Sequence, residues 1–323
     1  MRHYASIAIL SFLAACGGKP QQQVATCSPP VGEGTLTVPG GNIWYEVSGT
    51  GTGLPVVLLH GGPGFSSYYL KPLEALGNDR LVIRYDQLGG GKSDKISDTT
   101  MFTIAHFVNE LDSLRSHLGC TQWHVFGHSW GTILALEYYR AHPDHVASLT
   151  FGSAVFDIPA YQRRARDLVG TLPLATQRVI EKAETEGAFE DSAYQAAMNE
   201  FYGLYLFRHP VEADLDSTFA TANEAIYNYM QGPSEFTITG TLKDYDVRAF
   251  LPHIAVPTLF TVGEFDEVGP ELVQGFADSV PNAKYVVFPG AAHITTWDAR
   301  DENVRVVREF LRGVDSTRAK TGS

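Results

Sequence analysis

The chain has 323 residues, 44% of them hydrophobic and 19% charged, a balance that excludes disorder for most of its length and suits one large domain with an inserted lobe, or two domains. With 24 basic against 36 acidic residues the formal net charge is -12, which disfavours nucleic acid and anionic membrane surfaces as partners. That balance points to a small-molecule or peptide substrate.

The first residues read as a targeting segment. Met1-Arg2-His3 supplies a short basic start, Ile7 to Ala15 an apolar run, and Leu13-Ala14-Ala15-Cys16 a small-residue cleavage site ending in cysteine. These last four residues resemble a bacterial lipobox. That resemblance implies a lipoprotein signal peptide over 1–15, lipidation at Cys16, and a protein anchored in the bacterial cell envelope, its membrane contact made by lipid. The apolar run is too short to cross a bilayer as a helix. Residues 16–33, with Gly17-Gly18, Pro20, three glutamines and Pro29-Pro30, read as anchor and flexible tether. In a compartment that permits disulfides, Cys27 and Cys120 can pair or Cys120 can be a buried thiol. The sequence leaves both open, because pairing needs Cα atoms within about 7 Å. Neither cysteine has metal-ligand spacing, so no metal site is expected.

From Thr35 the pattern becomes that of strands, with Thr35 to Val38 and Ile43 to Val47 forming a hairpin. Pro55 to Leu59 is an unbroken apolar run of the kind buried on both faces of a sheet, and Leu81 to Tyr85, apolar but for Arg84, reads as a second such strand after a helical stretch around Tyr68 to Leu76. Helix and strand then alternate: helix Ile104 to Leu118, strand Trp123 to Phe126, helix Thr132 to His142, strand Val146 to Phe151. This order predicts an α/β fold with a mostly parallel central sheet. Between Phe156 and Phe250 only amphipathic helical stretches occur, at Ala160 to Val169, Leu174 to Glu186, Ser192 to Tyr205 and Ser217 to Met230. They read as an inserted helical cap. The α/β pattern resumes with strand Thr258 to Val262, helix Glu271 to Ser279, strand Lys284 to Phe288 and helix Glu302 to Leu311. The expected division is a sheet domain over 34–154 and 252–314, a cap over 155–251, and a frayed polar tail over 315–323.

One pentapeptide carries the chemistry. Gly127-His128-Ser129-Trp130-Gly131 is a G-x-S-x-G run between an apolar strand and a helix, where a strained turn lifts a serine above the sheet as a nucleophile. Such a serine needs a base, an orienting acid and donors for an oxyanion. Asp266, three residues after Gly263 at a strand's carboxyl end, is the acid candidate. His293, in Gly290-Ala291-Ala292-His293, is the base candidate, and the order Ser129, Asp266, His293 is that of α/β-hydrolases. Of the other histidines, His117, His142, His145 and His209 fall on helix ends or exposed turns, while His60 and His128 read as supporting residues. The loop His60-Gly61-Gly62-Pro63-Gly64 follows the first buried run directly. Its Gly62 amide, with that of Trp130, is the expected oxyanion hole. The loop lacks the glycine spacing of a phosphate-binding motif.

Together these motifs resemble the proline iminopeptidase family of α/β-hydrolases. The match is carried by His60 to Gly64 (HGGPG), Tyr85 to Asp94 (YDQLGGGKSD), Gly127 to Gly131 (GHSWG) and Gly290 to Trp297 (GAAHITTW). It is most similar to the archaeal tricorn-interacting aminopeptidases, through Gly232 to Thr241 and Val262 to Val268, and spans about residues 35–312. The resemblance implies a serine exopeptidase that releases an N-terminal residue, preferably proline, from short peptides, without a cofactor. It also implies that Glu235 and Glu267 bind the substrate's free α-amino group, for which a carboxylate pair is chemically suited. Amino-acid amides with a free N-terminus are further candidate substrates. An amidase, an esterase or lactonase on the same triad, and a non-catalytic tethered binding protein are the other readings. Position 128 departs from the family, which usually has glycine or serine there.

Overall fold

Residues that alternate in the sequence end on opposite sides of one sheet. A computed structural model describes Cys27 and residues 29–321; the signal segment and Cys16 lie outside the described residues. Eight strands, β1 (Gly32–Val38), β2 (Gly41–Ser48), β3 (Gly53–Leu59), β4 (Arg80–Asp86), β5 (Trp123–His128), β6 (Val146–Gly152), β7 (Thr258–Gly263) and β8 (Lys284–Phe288), run in the order β1-β2-β4-β3-β5-β6-β7-β8. The β1–β2 and β2–β4 pairs are antiparallel, and every other neighbour is parallel. Strand β3 shows why its sequence is apolar without a break. Val57 and Leu59 join the core layer on one face, and Val56 and Leu58 join the layer on the other.

Helices α1 (Ile104–His117) and α2 (Trp130–Ala141) pack beside the sheet. The chain then leaves it for α3 (Ile158–Val169), α4 (Leu174–Glu186), α5 (Ser192–Tyr205), α6 (Ala213–Ala220) and α7 (Glu224–Met230), and returns for α8 (Pro270–Ser279), α9 (Thr295–Asp298) and α10 (Arg300–Thr321). None of the sheet's strands comes from between Phe156 and Phe250. The excursion starts and ends at one place: Ile158 N–H donates to Tyr245 O (3.0 Å), Val247 N–H donates to Phe156 O (3.0 Å), and Arg248 pairs with Asp157 at 3.0 Å.

Three expectations need correction. The single helix expected over Ser217 to Met230 is two, because the Asn223 side chain caps α7 by accepting from the amides of Ala225 and Ile226. The stretch around Tyr68 to Leu76 is a 3-10 helix, Tyr68–Asn78, with Pro72 inside it. The polar tail expected from 315 is instead the last turns of α10. Val304, Val307, Leu311 and Val314 keep its apolar stripe going past Leu311. Beyond them, Asp315 is held by Arg80 at 3.0 Å and by His124 at 3.1 Å. The second and third cysteines are joined as a Cys27–Cys120 disulfide, their Cα atoms 4.3 Å apart.

Candidate active site

The turn from β5 into α2 places Ser129 at φ 54°, ψ -125°, a left-handed conformation that a non-glycine residue holds only under strain. The neighbouring glycines make the turn possible by letting backbone approach backbone. A Cβ on Gly127 would lie 2.2 Å from Gly131 O, and one on Gly131 would lie 2.2 Å from Leu59 O. Ser129 is thereby pressed against the end of β3, where the His60–Gly64 loop begins. The Gly61 amide is committed to the Tyr69 hydroxyl at 2.7 Å. Gly62 and Trp130 both border a cavity at Ser129, and Trp130, as the first residue of α2, has an amide without an intrahelical acceptor. Gln87, just beyond β4, ties these two parts together. It accepts from Trp130 Nε1 (2.8 Å), while its side-chain amide donates to His60 O (3.1 Å) and its main-chain N–H to His60 Nε2 (3.0 Å).

His293 and Asp266, 27 residues apart and following β8 and β7, meet at 2.8 Å between Nδ1 and Oδ1. This bond fixes the proton on Nδ1 and leaves Nε2 as the nitrogen available to Ser129. Burial opposes charge on both residues. Their mutual attraction more than offsets it, holding Asp266 below the usual carboxylate range and, with help from Glu267 and Glu235, raising His293 to about 9. The main chain of His293 is braced from three sides. Its N–H donates to Tyr205 O at the end of α5 (3.1 Å), and its carbonyl accepts from Ser153 Oγ (3.0 Å) and from His128 Nε2 (2.9 Å). Burial, and then the charge on His293, push His128 down to about 3, so it stays neutral. Because Nε2 donates, Nδ1 must accept, and it does so from the Tyr69 hydroxyl at 2.8 Å. His128 therefore connects the loop of His293 to the loop of Gly61 through Tyr69.

Glu235, in the helical excursion, and Glu267, just after β7, face one hydroxyl. Tyr161 Oη of α3 lies 2.8 Å from Glu235 Oε2 and 3.0 Å from Glu267 Oε1, with one proton to give to the two. Glu235 also accepts from Tyr227 (2.7 Å) and from Gln231 (3.2 Å). Glu267 is fully buried, and among the described residues its Oε2 has no hydrogen-bond partner. Burial, followed by the charge of Glu235, holds the Glu267 carboxyl well above the usual range. Two buried carboxyls this close together are stabilised most by a positive group between them.

Two cavities meet at Ser129. One, of about 240 Å³, is walled by Ile133, Val155, Ile158 and Leu242, with Tyr161, Gln231 and Glu235 at its polar end. The other, of about 330 Å³, has His293 in its lining, along with Glu235 and several aromatic rings. Away from this site, Asp112, His142 and His145 cluster closely enough to hold a metal ion. Asp112 Oδ1, however, already takes Arg115 Nε at 2.8 Å, and a guanidinium there repels a cation.

The residues that sequence reasoning missed are Tyr69, Gln87, Ser153, Tyr161, Tyr227 and Gln231. Gln87 and Ser153 follow strands β4 and β6 directly, a position that could have marked them. The tyrosines gave no such signal, because a tyrosine on the buried stripe of a helix looks like any core residue.

A family model for the α/β-hydrolase fold matches residues 55–299. A proline iminopeptidase of Heyndrickxia coagulans is 37% identical over 285 residues, covering 87% of this chain and 99% of that protein. One from Saccharolobus solfataricus is 36% identical over 291 residues, 88% of this chain and 94% of its own length. Among solved structures, the proline iminopeptidase of Mycobacterium smegmatis superposes with a TM-score of 0.81 at 32% identity, covering 88% of this chain and 99% of that one.

Proposed function

Because the chain belongs to the α/β-hydrolase fold family and, within it, to the proline iminopeptidases, we propose that it is a serine exopeptidase releasing an N-terminal residue, preferably proline, from short peptides. The observation that carries this reading is the buried carboxyl pair of Glu235 and Glu267, hydrogen-bonded through Tyr161, with Glu235 on the walls of both cavities that meet at Ser129. A hydrolase of neutral acyl groups has no use for two buried acids. A substrate α-ammonium between them supplies such a positive charge and fixes how far the substrate can enter.

With the amine so anchored, the N-terminal side chain enters the cavity of Ile133, Val155, Ile158 and Leu242, and the first carbonyl lies over Ser129. His293 Nε2 takes the serine proton as Oγ attacks the carbonyl carbon. The carbonyl oxygen gains negative charge and is held by the amides of Gly62 and Trp130. His293 then returns the proton to the leaving nitrogen, the C–N bond breaks, and an acyl-enzyme remains. Water, deprotonated by the same imidazole, attacks the ester and releases the amino acid. Asp266 keeps the imidazole in the required tautomer and stabilises its charge. Short peptides and amino-acid amides with a free N-terminus are the substrates this site suits. In the test, proline p-nitroanilide is compared with its N-acetylated form on one preparation. Turnover of the free amine with loss of the acetylated substrate is expected; equal turnover of both would refute the amine anchor.

We also infer that the enzyme is held in the bacterial cell envelope through a lipid on Cys16. The Leu13 to Cys16 motif supports this, and so does the Cys27–Cys120 disulfide, a bond typical of oxidising compartments. Cys16→Ser is expected to move the protein to the soluble fraction, and a variant that stays with the membrane would count against the anchor.

A further inference from the structure

The larger cavity receives what lies beyond the scissile bond, and its walls restrict what that can be. The inference rests on the aminopeptidase reading, which puts the α-amine at Glu235 and the N-terminal side chain in the smaller cavity. His293 must protonate the leaving nitrogen, and it borders the larger cavity but not the smaller one. The leaving group therefore departs along the larger cavity.

This cavity is apolar, and its few polar groups are already in use. Phe65, Leu206, Phe219 and Ile294 form its walls, together with the ring of Tyr69. The Tyr69 hydroxyl is spent on Gly61 and His128. The Thr218 hydroxyl, the remaining polar side chain of the wall, donates to Asp214 O and accepts from the Tyr69 amide. Apart from the catalytic pair of Ser129 and His293, the ionisable lining is Glu235 and the neutral His128, whose ring nitrogens are taken by Tyr69 and by His293 O, and neither lysine nor arginine is among the described lining residues. A row of rings continues the surface outward. Tyr227, which holds Glu235, stacks on Phe65 at 5.3 Å and 17°; Phe65 meets Phe219 edge-on at 5.8 Å; and Phe219 meets Phe207 at 5.9 Å.

From this we propose that the enzyme has a leaving-group subsite selective for an apolar or aromatic residue in the second position of the substrate, with no counter-ion for a free carboxylate there once His293 is in the neutral form that catalysis requires. A large apolar second residue buries its surface against Phe65, Phe219 and Leu206. An acidic one is desolvated beside Glu235, with no donor to replace its water. The free carboxylate of a dipeptide meets the same difficulty, so amides and longer peptides are better substrates than the corresponding dipeptide acids.

The test measures kcat/KM on the full enzyme for Pro-Phe-NH2, Pro-Ala-NH2, Pro-Asp-NH2 and the dipeptide Pro-Phe, with proline p-nitroanilide as reference. Pro-Phe-NH2 is expected to exceed Pro-Asp-NH2 by at least about thirtyfold and the free dipeptide by about tenfold. In Phe219→Ala, and separately in Phe65→Ala, the ratio of Pro-Phe-NH2 to Pro-Ala-NH2 is expected to fall by about fivefold or more. Because each ratio comes from one preparation, partial misfolding does not affect it. If the p-nitroanilide is turned over but Pro-Asp-NH2 equals Pro-Phe-NH2, or if the ratios survive both substitutions, the subsite is overturned while the aminopeptidase reading stands. If the p-nitroanilide itself is inert, that reading fails and the subsite fails with it.

Discussion

His293 sits among three carboxyls, and that placement sets the pH at which the site works. Burial opposes its charge, but Asp266, Glu267 and Glu235 raise it to about 9 in the free protein. A protonated imidazole cannot accept the proton of Ser129. The acid limb of kcat/KM, which reports the free enzyme, is therefore expected to rise through about pH 9. A bound α-ammonium cancels the field of the two glutamates, so the same limb in kcat lies at lower pH. Profiles of both parameters check this, and a kcat/KM limb at the unperturbed 6.5 would show that Asp266 and the glutamates together do not outweigh burial at the base. Glu267→Gln is expected to lower that limb and to reduce kcat/KM by about 2–3 kcal/mol through loss of a charge-assisted contact. At this scale the sequence was legible wherever chemistry constrains position: Ser129, Asp266 and His293 each follow a parallel strand. Tyr161 and Tyr227 were hidden because nothing in a helical periodicity separates a tyrosine that fills space from one that holds a carboxylate. His128 could be read as a supporting residue, but its two hydrogen bonds are to Tyr69 and to His293 O, both distant in sequence.

Periodicity located the elements well and their ends less well. The strands of the sheet were legible because burial on both faces demands largely apolar runs, continuous in β3 and broken by His124 in β5. The boundary between α6 and α7 was missed because the cap at Asn223 is one polar side chain within an otherwise unbroken amphipathic pattern. The end of α10 was missed for another reason, since past Val314 its apolar stripe stops and the long-range pairing of Asp315 takes over. Arg80, 1% exposed, depends on Asp315 for its counter-ion, and Asp315 also binds His124. Asp315→Ala is expected to destabilise the fold by about 1–3 kcal/mol, a figure kept below that of a fully buried pair because Asp315 is partly exposed to solvent. Denaturant unfolding measures it. No change in the unfolding midpoint would mean that these last turns are not integral to the sheet domain.

For the whole molecule, stability and activity are expected to have different pH optima. Burial lowers the pKa of His60 and His124, and takes His128 to about 3. Below 6.5 the unfolded chain binds protons at these residues that the native one refuses, so stability falls as pH falls. Glu110 is raised by burial to about 8, and His293 is raised to about 9. There the native state keeps protons that the unfolded state has lost, so stability is present at lower pH and declines as pH rises through those values. Thermal unfolding should therefore be most resistant around pH 6–7, below the pH at which the free base is deprotonated. A maximum above pH 8 would contradict this balance.

The entry and exit of the helical excursion, side by side at Phe156 and Val247, have a consequence for how such a protein can diversify. Everything between Ile158 and Asp246, including Tyr161, Tyr227 and Glu235, is one uninterrupted stretch whose two ends pair with each other, and it rests on the sheet domain at further points such as Tyr205 O, which accepts from the His293 amide. Ser129, Asp266 and His293 all lie outside it. Exchange of that stretch leaves strand order and the chain positions of the reacting groups unaltered, so recombination at one pair of crossover points can give the same chemistry a new clientele, provided the new stretch again supplies an acceptor for the His293 amide.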